Sequence, residues 1–158
     1  MIMSKNFKIV VLAGGVGPER EISNRTGKAL SEALKKNFQV ELIELTEEQL
    51  PTGINPEECI VFPAIHGTFG EDGRLQKMLE GRGINYSGSD SQSSRLCMDK
   101  FESKKAVAKS GVRVAPDVVF HHPSEVNIPE VLSSLGQDLI IKPTDQGSSV
   151  ALYVLHGE

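Results

Sequence analysis

Apolar runs alternate with helical patterns along the first part of the chain. A continuous apolar run over Lys8–Ala13 predicts a strand covered on both faces, and the glycine-rich segment 14–18 ends it. From Glu19 to about Lys36, apolar residues recur at helical spacing and predict a helix: Ile22, Ala29, Leu30, Ala33 and Leu34. Apolar and polar residues then alternate over Phe38–Leu45, which predicts a half-exposed edge strand.

The same plan repeats in the next stretch. Cys59–Ile65 predicts a third strand, Leu75–Glu80 a helix after it, and Asn85–Ser87 a further short strand. Strands that alternate with helices are typical of an open parallel sheet, so we expect a Rossmann-like α/β domain. In such sheets ligands bind at the carboxyl ends of the strands, where backbone N–H groups and helix N-termini converge.

The pattern changes near residues 95–99, where we place a boundary between domains 1–97 and 98–158. Asp99 is a capping residue for a lysine-rich helix over Lys100–Ser110, which Gly111 ends. The remaining predicted elements are a strand over Val114–Phe120, a short helix over Pro129–Leu135, and strands over Leu139–Lys142 and Val150–Leu155. A pair of strands is marginal in water without a third strand or a covering helix. We therefore expect an incomplete second domain and a chain that is the N-terminal portion of a longer protein.

Composition restricts the function classes. The chain has 158 residues and a net charge of -4, and no apolar stretch approaches the roughly 20 residues of a membrane helix. It has no long basic run that would indicate a nucleic-acid surface. Its cysteines lack the spacing of a zinc site, and the first apolar run is too short for a signal peptide. We expect a cytoplasmic protein with no metal site of its own and no membrane or nucleic-acid partner.

The first candidate functional residue is Glu19, which follows the glycine-rich segment 14–18 at a helix start. Glycines before a helix often bind phosphate, but this pattern fits neither common phosphate motif, and a carboxylate repels phosphate. The same carboxylate suits the ammonium group of a ligand. The alternative is that Glu19 and Glu21 only complement the helix dipole.

The second candidate is His66, at the end of the third predicted strand. An imidazole at this edge can donate a hydrogen bond to a ligand or accept one, and a purely structural histidine is the alternative. Glu71 and Asp72 are expected to cap the following helix rather than to bind a metal ion.

The third candidate is Lys142, which ends an apolar strand that we expect to be buried and precedes the hydroxyl-rich segment Gly147–Ser149. An ammonium group and several loop N–H groups in this arrangement can bind phosphate oxygens. The alternative is an ordinary hairpin with a solvent-facing lysine. Lys100 is a candidate as well, because it lies at a helix N-terminus, whereas the other lysines of that helix are typical of a solvated face.

A family resemblance rests on motifs in order along the chain: GGVGPEREIS at 14–23, HGTFGEDG at 66–73, YSGS at 86–89, MDK at 98–100 and KPTDQGSSV at 142–150. Together, with this order and spacing, they resemble the D-alanine:D-alanine ligases over nearly the whole chain. The resemblance implies an N-terminal α/β domain followed by an α+β ATP-grasp fold, of which this chain would hold the beginning.

The resemblance also implies an activity. Ligases of this family use ATP to phosphorylate the carboxylate of one D-alanine, and the amine of a second D-alanine attacks the acyl phosphate. The dipeptide enters peptidoglycan synthesis. The family uses Mg²⁺ besides ATP, and its magnesium ligands lie in a C-terminal part that this chain lacks, so we expect this chain alone to be inactive. A homodimer formed through the N-terminal domain is also implied.

Residue roles carry over by motif. Glu19 resembles the carboxylate that receives the ammonium of the first D-alanine, and His66 resembles the residue that orients this substrate. Ser148 resembles a hydroxyl that is linked to the glutamate by hydrogen bonds and bridges the domains.

The phosphate contacts carry over in the same way. Lys100 and Lys142 resemble the lysines that contact ATP phosphates, with Gly147 and Ser149 in the adjoining loop. One departure is Ala151, which stands where the family usually has a glycine and is expected to stiffen or crowd this loop.

Two alternatives stay open at this point. The chain could be a truncated, non-catalytic paralogue that serves in small-ligand binding or dimerisation. It could also belong to an ATP-grasp ligase that joins another amino or hydroxy acid, because the pocket for the second substrate lies largely outside this chain.

Overall fold

The computed structural model describes residues 7–157. Its elements are β1 (Lys8–Gly14), α1 (Arg20–Leu34), β2 (Gln39–Leu45), β3 (Cys59–Pro63), α2 (Arg74–Gly81), α3 (Ser91–Met98), α4 (Lys100–Lys109), a 3-10 helix (Pro123–Glu125), α5 (Ile128–Leu135), β4 (Leu139–Ile141) and β5 (Tyr153–Leu155). The described residues form two compact units, the first ending at Cys97 and the second beginning at Met98. The outer limits of the predicted domains, residues 1 and 158, lie outside the described part.

In the described residues, the first unit is built on a parallel sheet of three strands in the order β2-β1-β3. Ile9 of the central strand β1 pairs with Val40 of β2 and with Ile60 of β3. Val10 to Ala13 are at most 1% exposed, as expected for the middle strand of a covered sheet. The predicted α/β class with an open parallel sheet is confirmed, and β2 is the edge strand that the alternating pattern indicated.

The inward face of α1 differs from the apolar pattern that predicted the helix. The buried residues of α1 are Ser23, Gly27 and Ser31, whereas Ile22 is 48% exposed. These small residues let the helix approach the sheet closely, because a Cβ on Gly27 would collide with the Cβ of Ala13. Apolar periodicity therefore identified the helix but not the face that packs on the sheet.

The core of the first unit joins the sheet to α2. Its members include Leu12, Val61, Phe69, Leu75 and Leu79. All of them are at most 1% exposed, so this cluster fixes α2 against β1 and β3.

The segment after α2 extends this sheet by a single bridge. Tyr86 bridges to Val61, whose N–H donates to Asn85 O at 2.9 Å and whose carbonyl accepts from Ser87 N–H at 3.0 Å. The strand predicted over Asn85–Ser87 is therefore reduced to this one bridge.

Helix α3 was not predicted from the sequence. Its residues form a polar, serine-rich run without a regular apolar period. Asp90 defines its start, because its Oδ1 accepts a hydrogen bond from Ser93 N–H at 2.7 Å. The cap, rather than an apolar face, was the available signal.

In the second unit, the predicted cap of α4 is confirmed. Asp99 Oδ1 accepts hydrogen bonds from Phe101 N–H at 2.9 Å and from Glu102 N–H at 3.0 Å. The predicted strand pair is present as β4 and β5, which are antiparallel with Ile140 opposite Val154. No helix within residues 7–157 is long and apolar enough to cross a membrane.

Two predictions for the second unit are wrong. Residues 114–120 form no strand in the described chain, because a strand needs a partner for its N–H and C=O groups. β4 is not a buried strand, since Ile140 is 62% exposed and Ile141 is 53% exposed. A pair of strands satisfies one edge of each strand but covers neither face, so an apolar run alone does not reveal burial.

Candidate functional site

Ser23 ties together the carboxyl ends of β1 and β3. Its fully buried hydroxyl accepts a hydrogen bond from Gly14 N–H at 2.8 Å and donates one to Ala64 O at 2.7 Å. The N–H of Ala64 in turn donates to Leu12 O at 2.7 Å. The loops that follow both strands therefore start from one fixed edge of the sheet.

Glu19 reaches this edge from the start of α1. It is the N-cap residue, yet within the described chain its side chain makes no capping hydrogen bond to the helix. Its carboxylate lies beside Gly67, where a Cβ on the glycine would come 2.5 Å from Glu19 Oε2. Gly67 has a φ of +72°, a conformation that glycine adopts without strain. This contact brings Glu19 to the residue that follows His66 and argues against a purely capping role.

His66 is held on both sides of its ring. Thr26 Oγ1 lies 3.0 Å from Nε2, and Glu71 Oε1 lies 3.5 Å from Nδ1. A carboxylate only accepts hydrogen bonds, so it favours the proton on Nδ1 and leaves Nε2 to accept from the Thr26 hydroxyl. The imidazole thus has a defined orientation, and the expected helix-capping role of Glu71 is replaced by a contact with His66.

Asp72 fixes the loop between His66 and α2. Its Oδ2 accepts a hydrogen bond from Phe69 N–H at 2.8 Å, and its Oδ1 accepts from Arg74 N–H at 3.0 Å. The second bond supports the first turn of α2, as the sequence predicted for this residue. Phe69 itself is 1% exposed with a φ of +72°, so its buried ring and the Asp72 bond hold a backbone conformation that is costly for a residue with a Cβ.

A cavity of about 460 Å³ opens beside His66 within the first unit. Thr26, Glu71 and Cys97 contribute to its lining. A serine wall completes it, which we define as Ser87, Ser89, Ser93 and Ser94. Hydroxyl groups both donate and accept hydrogen bonds, and the apolar residues 62–65 also line the cavity, so it suits a small molecule with polar and apolar groups.

The serine wall is attached to α2 through Glu80. Its Oε1 accepts from the Tyr86 hydroxyl at 2.7 Å and from Ser91 N–H at 2.9 Å, and its Oε2 accepts from the Ser91 hydroxyl at 2.6 Å. The hydrogen bonds from Ser91, and then from Tyr86, hold the pKa of Glu80 below its ordinary value. Burial, followed by the bond to Glu80, raises the pKa of Tyr86 to about 12.

The lysine candidates lie in the second unit. Lys100 Nζ donates to Gln146 O at 2.5 Å and lies 3.4 Å from Thr144 O, to which the Lys100 N–H also donates at 2.9 Å. The ammonium group therefore contacts the segment that precedes Gly147. Lys142 follows β4 and is exposed, so the buried strand that favoured a phosphate role for it is absent from the described structure.

The loop containing Gly147 forms a tight turn. Val150 N–H donates to Gly147 O at 3.0 Å. The non-glycine residues Ser148, Ser149 and Ala151 have φ values of +49°, +60° and +52°. Left-handed backbone is costly for residues with a Cβ, which gives a physical reason for a glycine at position 151 in the resembling family.

Within residues 7–157, no three His, Cys, Asp or Glu side chains are grouped so that they could hold a metal ion. Mg²⁺ requires an octahedral set of oxygen ligands, usually carboxylates, phosphates and water.

Sequence reasoning missed the supporting residues of the site. Ser23 and Thr26 follow Glu19 at helical spacing, four and seven residues later, and this polar stripe on α1 was a readable signal. Glu80 gave no signal, because it meets Ser91, eleven residues away, only once α3 has formed.

Sequence comparisons agree with this architecture. Residues 49–89 match the family model described as the D-ala D-ala ligase N-terminus. The D-alanine–D-alanine ligase of Clostridium botulinum (strain Alaska E43) is 37% identical over 154 residues, covering 96% of this chain and 50% of the relative. That of Glaesserella parasuis serovar 5 is 40% identical over 151 residues, covering 94% of this chain and 49% of the relative. The chain spans about half the length of the curated relatives it matches.

Solved structures give the same result. The D-alanine–D-alanine ligase from Bacillus anthracis complexed with ATP matches with a TM-score of 0.83 and 31% identity, over 96% of this chain and 51% of that chain. The VanG D-Ala:D-Ser ligase from Enterococcus faecalis matches with a TM-score of 0.80 and 29% identity, over 97% of this chain and 56% of that chain. Over nearly its whole length, the chain is therefore similar to the N-terminal half of D-alanine–D-alanine ligases, as its sequence motifs indicate.

Proposed function

We propose that this chain is the N-terminal portion of an ATP-dependent D-alanine–D-alanine ligase of peptidoglycan synthesis, with the site of the first amino acid in its first unit. The observation that carries the proposal is the approach of the Glu19 carboxylate to the loop of His66 and Gly67, where β1 and β3 end. A carboxylate at this edge of the sheet suits the ammonium of a small amino acid, and His66, in the same loop as Gly67, lines the neighbouring cavity. Similarity to these ligases over 96% of the chain supports D-alanine as that amino acid.

In this proposal, Glu19 receives the ammonium of the first D-alanine, and His66, held by Thr26 and Glu71, orients the substrate. The γ-phosphoryl group of ATP is transferred to the substrate carboxylate, and ADP leaves. The amine of the second D-alanine then attacks the acyl carbon, which releases phosphate.

ATP is assigned to the second unit. Lys100 and Lys142 supply positive charge for the phosphates, and Gly147 and Ser149 supply loop N–H groups. The contact of Lys100 with the Gln146 carbonyl supports this assignment, because it holds the ammonium group at the loop. The magnesium ligands are expected outside this chain, as the family resemblance implies.

Substitution of Glu19 in the complete protein tests the amino-acid site. We expect Glu19→Gln to raise the KM for D-alanine by roughly tenfold or more, because the ammonium loses its counter-charge. Glu21→Gln, which changes an exposed acidic residue in the same first turn of α1, is the matched control and should leave the KM unchanged. Equal KM values for D-alanine in the two variants would contradict the assignment.

The segment 1–158 alone gives a second test. It is expected to release no phosphate from ATP in a D-alanine-dependent way. Turnover by this segment would contradict the proposed division of the active site, and a complete protein without turnover would favour the non-catalytic module.

A ligase for another amino or hydroxy acid is the second candidate. The match to a D-Ala:D-Ser ligase favours it, because that relative differs by name in its second substrate. Profiling of the complete protein with D-alanine, D-serine and D-lactate as second substrates separates the two candidates.

We also propose a homodimer formed through the first unit and a cytoplasmic location, where ATP is supplied. Phe38 and Leu42, at 48% and 41% exposure, support an interface along the edge strand β2. A monomeric mass of the complete protein in light scattering, or its recovery outside the cytoplasmic fraction, would contradict these proposals.

A further inference from the structure

Glu80 joins separate parts of the first unit through one carboxylate. It lies on α2, accepts hydrogen bonds from Tyr86, which is bridged to β3, and accepts from both the N–H and the hydroxyl of Ser91, which begins α3. An ionised carboxylate is well suited to this position because every partner is a donor and the carboxylate only accepts. A glutamine would direct an NH₂ group toward one of these donors.

The serine wall is located between and just beyond these attachment points. Ser87 and Ser89 lie between Tyr86 and Ser91, and Ser93 and Ser94 lie in the first turn of α3. Gly88 interrupts the wall with a φ of +110°, and a Cβ built on it would meet no atom within 4 Å. Besides Glu80, the wall is held by the Ser87 N–H, which donates to Val61 O at 3.0 Å, and by the Ser94 hydroxyl, which lies 3.4 Å from Ser89 O.

We propose that Glu80 is a positioning residue whose carboxylate fixes the serine wall at the cavity that His66 also lines, and thereby sets the fit of the amino-acid substrate. The identity of the substrate rests on the proposed function, whereas the attachment of the wall does not. Glu80 acts through the wall and does not itself line the cavity.

The test compares Glu80→Gln and the milder Tyr86→Phe with Arg82→Gln in the complete protein. Arg82 is a matched control, because it is also a charged residue at the end of α2. It donates to the carbonyls of Pro51, Thr52 and Ile54, and none of these residues lines the cavity. Hydrogen exchange of peptides covering residues 86–94 reports the wall directly, and the KM values for D-alanine and ATP report the fit.

We expect Glu80→Gln to accelerate exchange in residues 86–94 roughly tenfold and to raise the KM for D-alanine roughly fivefold, with the KM for ATP unchanged. Tyr86→Phe should produce a smaller shift of the same kind, and Arg82→Gln should leave both quantities unchanged. At saturating D-alanine, Glu80→Gln should reach the wild-type kcat, as expected for a positioning residue.

Two results would overturn the inference: unchanged exchange in Glu80→Gln, or faster exchange with an unchanged KM for D-alanine. If the KM change came from a general loss of protein stability and not from the serine wall, Arg82→Gln would show the same KM change. If the wild-type protein has no D-alanine-dependent turnover, the proposed function fails, and the exchange rates alone decide whether Glu80 fixes the wall.

Discussion

The carboxylate of Glu19 lies so close to Gly67 that a Cβ at this glycine would approach Glu19 Oε2 to 2.5 Å. The two residues belong to loops that follow different strands, and the parallel sheet brings both strand ends to one edge. Position 67 therefore carries two constraints at once, a left-handed φ and the absence of a side chain. This explains physically why a glycine directly follows His66.

Gly67→Ala should displace Glu19. The added methyl group would meet the carboxylate, and the left-handed backbone would cost about 1 kcal/mol or more for alanine. We expect the KM of the complete protein for D-alanine to rise roughly tenfold, because the ammonium contact is misplaced. Gly53→Ala is the control, since no atom lies within 4 Å of its Cβ position and its φ is not positive. Similar kinetics of the two variants would refute the steric argument.

Ser23 and Ser31 form a matched pair on the buried face of α1. Ser23→Ala should destabilise the protein by about 2 kcal/mol, because it leaves Gly14 N–H and Ala64 O without their hydrogen-bond partner. Ser31 is equally buried, but its hydroxyl has no hydrogen-bond partner among the described residues. Ser31→Ala should therefore stay within about 0.5 kcal/mol of wild type or be stabilising. Unfolding in denaturant measures both, and equal losses would contradict the role of the Ser23 bridge.

Features of the fold that depend on local sequence were predictable. The ends of β1 and β3 follow from apolar runs that stop at Gly14 and near His66, and the start of α4 follows from Asp99. Features that depend on partners distant in sequence were not predictable. The small inward residues of α1 have meaning only against the sheet, and residues 114–120 read as a strand but have no partner in the described chain.

The same distinction between local sequence and distant partners applies to the residues of the site. Glu19 and His66 could be singled out because each sits where a predicted strand gives way to a loop or helix. Glu71, which contacts His66, was wrongly predicted to cap α2. A capping carboxylate and a carboxylate that contacts His66 would both follow the same glycine-rich loop, so the sequence did not distinguish these two roles. The apolar residues before Lys142 indicated burial, which depends on what covers the strand and not on the strand itself.

Glu44 should contribute to acid sensitivity. Hydrogen bonds from Arg20, and then from Asn24, hold its pKa below the ordinary value of 4.5. A carboxyl whose pKa is lowered by folding stabilises the protein above its unfolded pKa, and this contribution is lost as the pH falls through the folded pKa. Glu44→Gln should therefore flatten the dependence of unfolding free energy on pH between about pH 5 and pH 3. Asn24→Ala should flatten it less, and parallel curves for wild type and Glu44→Gln would rule out the contribution.

Ala151→Gly should relax the loop that follows Gly147. Ala151 has a φ of +52°, and glycine reaches this region without the Cβ penalty, so we expect a gain of up to about 1 kcal/mol in unfolding free energy. Part of the gain is offset because glycine also makes the unfolded chain more flexible. Ala108→Gly, at an exposed position of α4, provides the opposite case and should cost about 1 kcal/mol. Denaturant unfolding of both variants separates backbone strain from a general effect of glycine, because only strain at position 151 gives the two substitutions opposite signs.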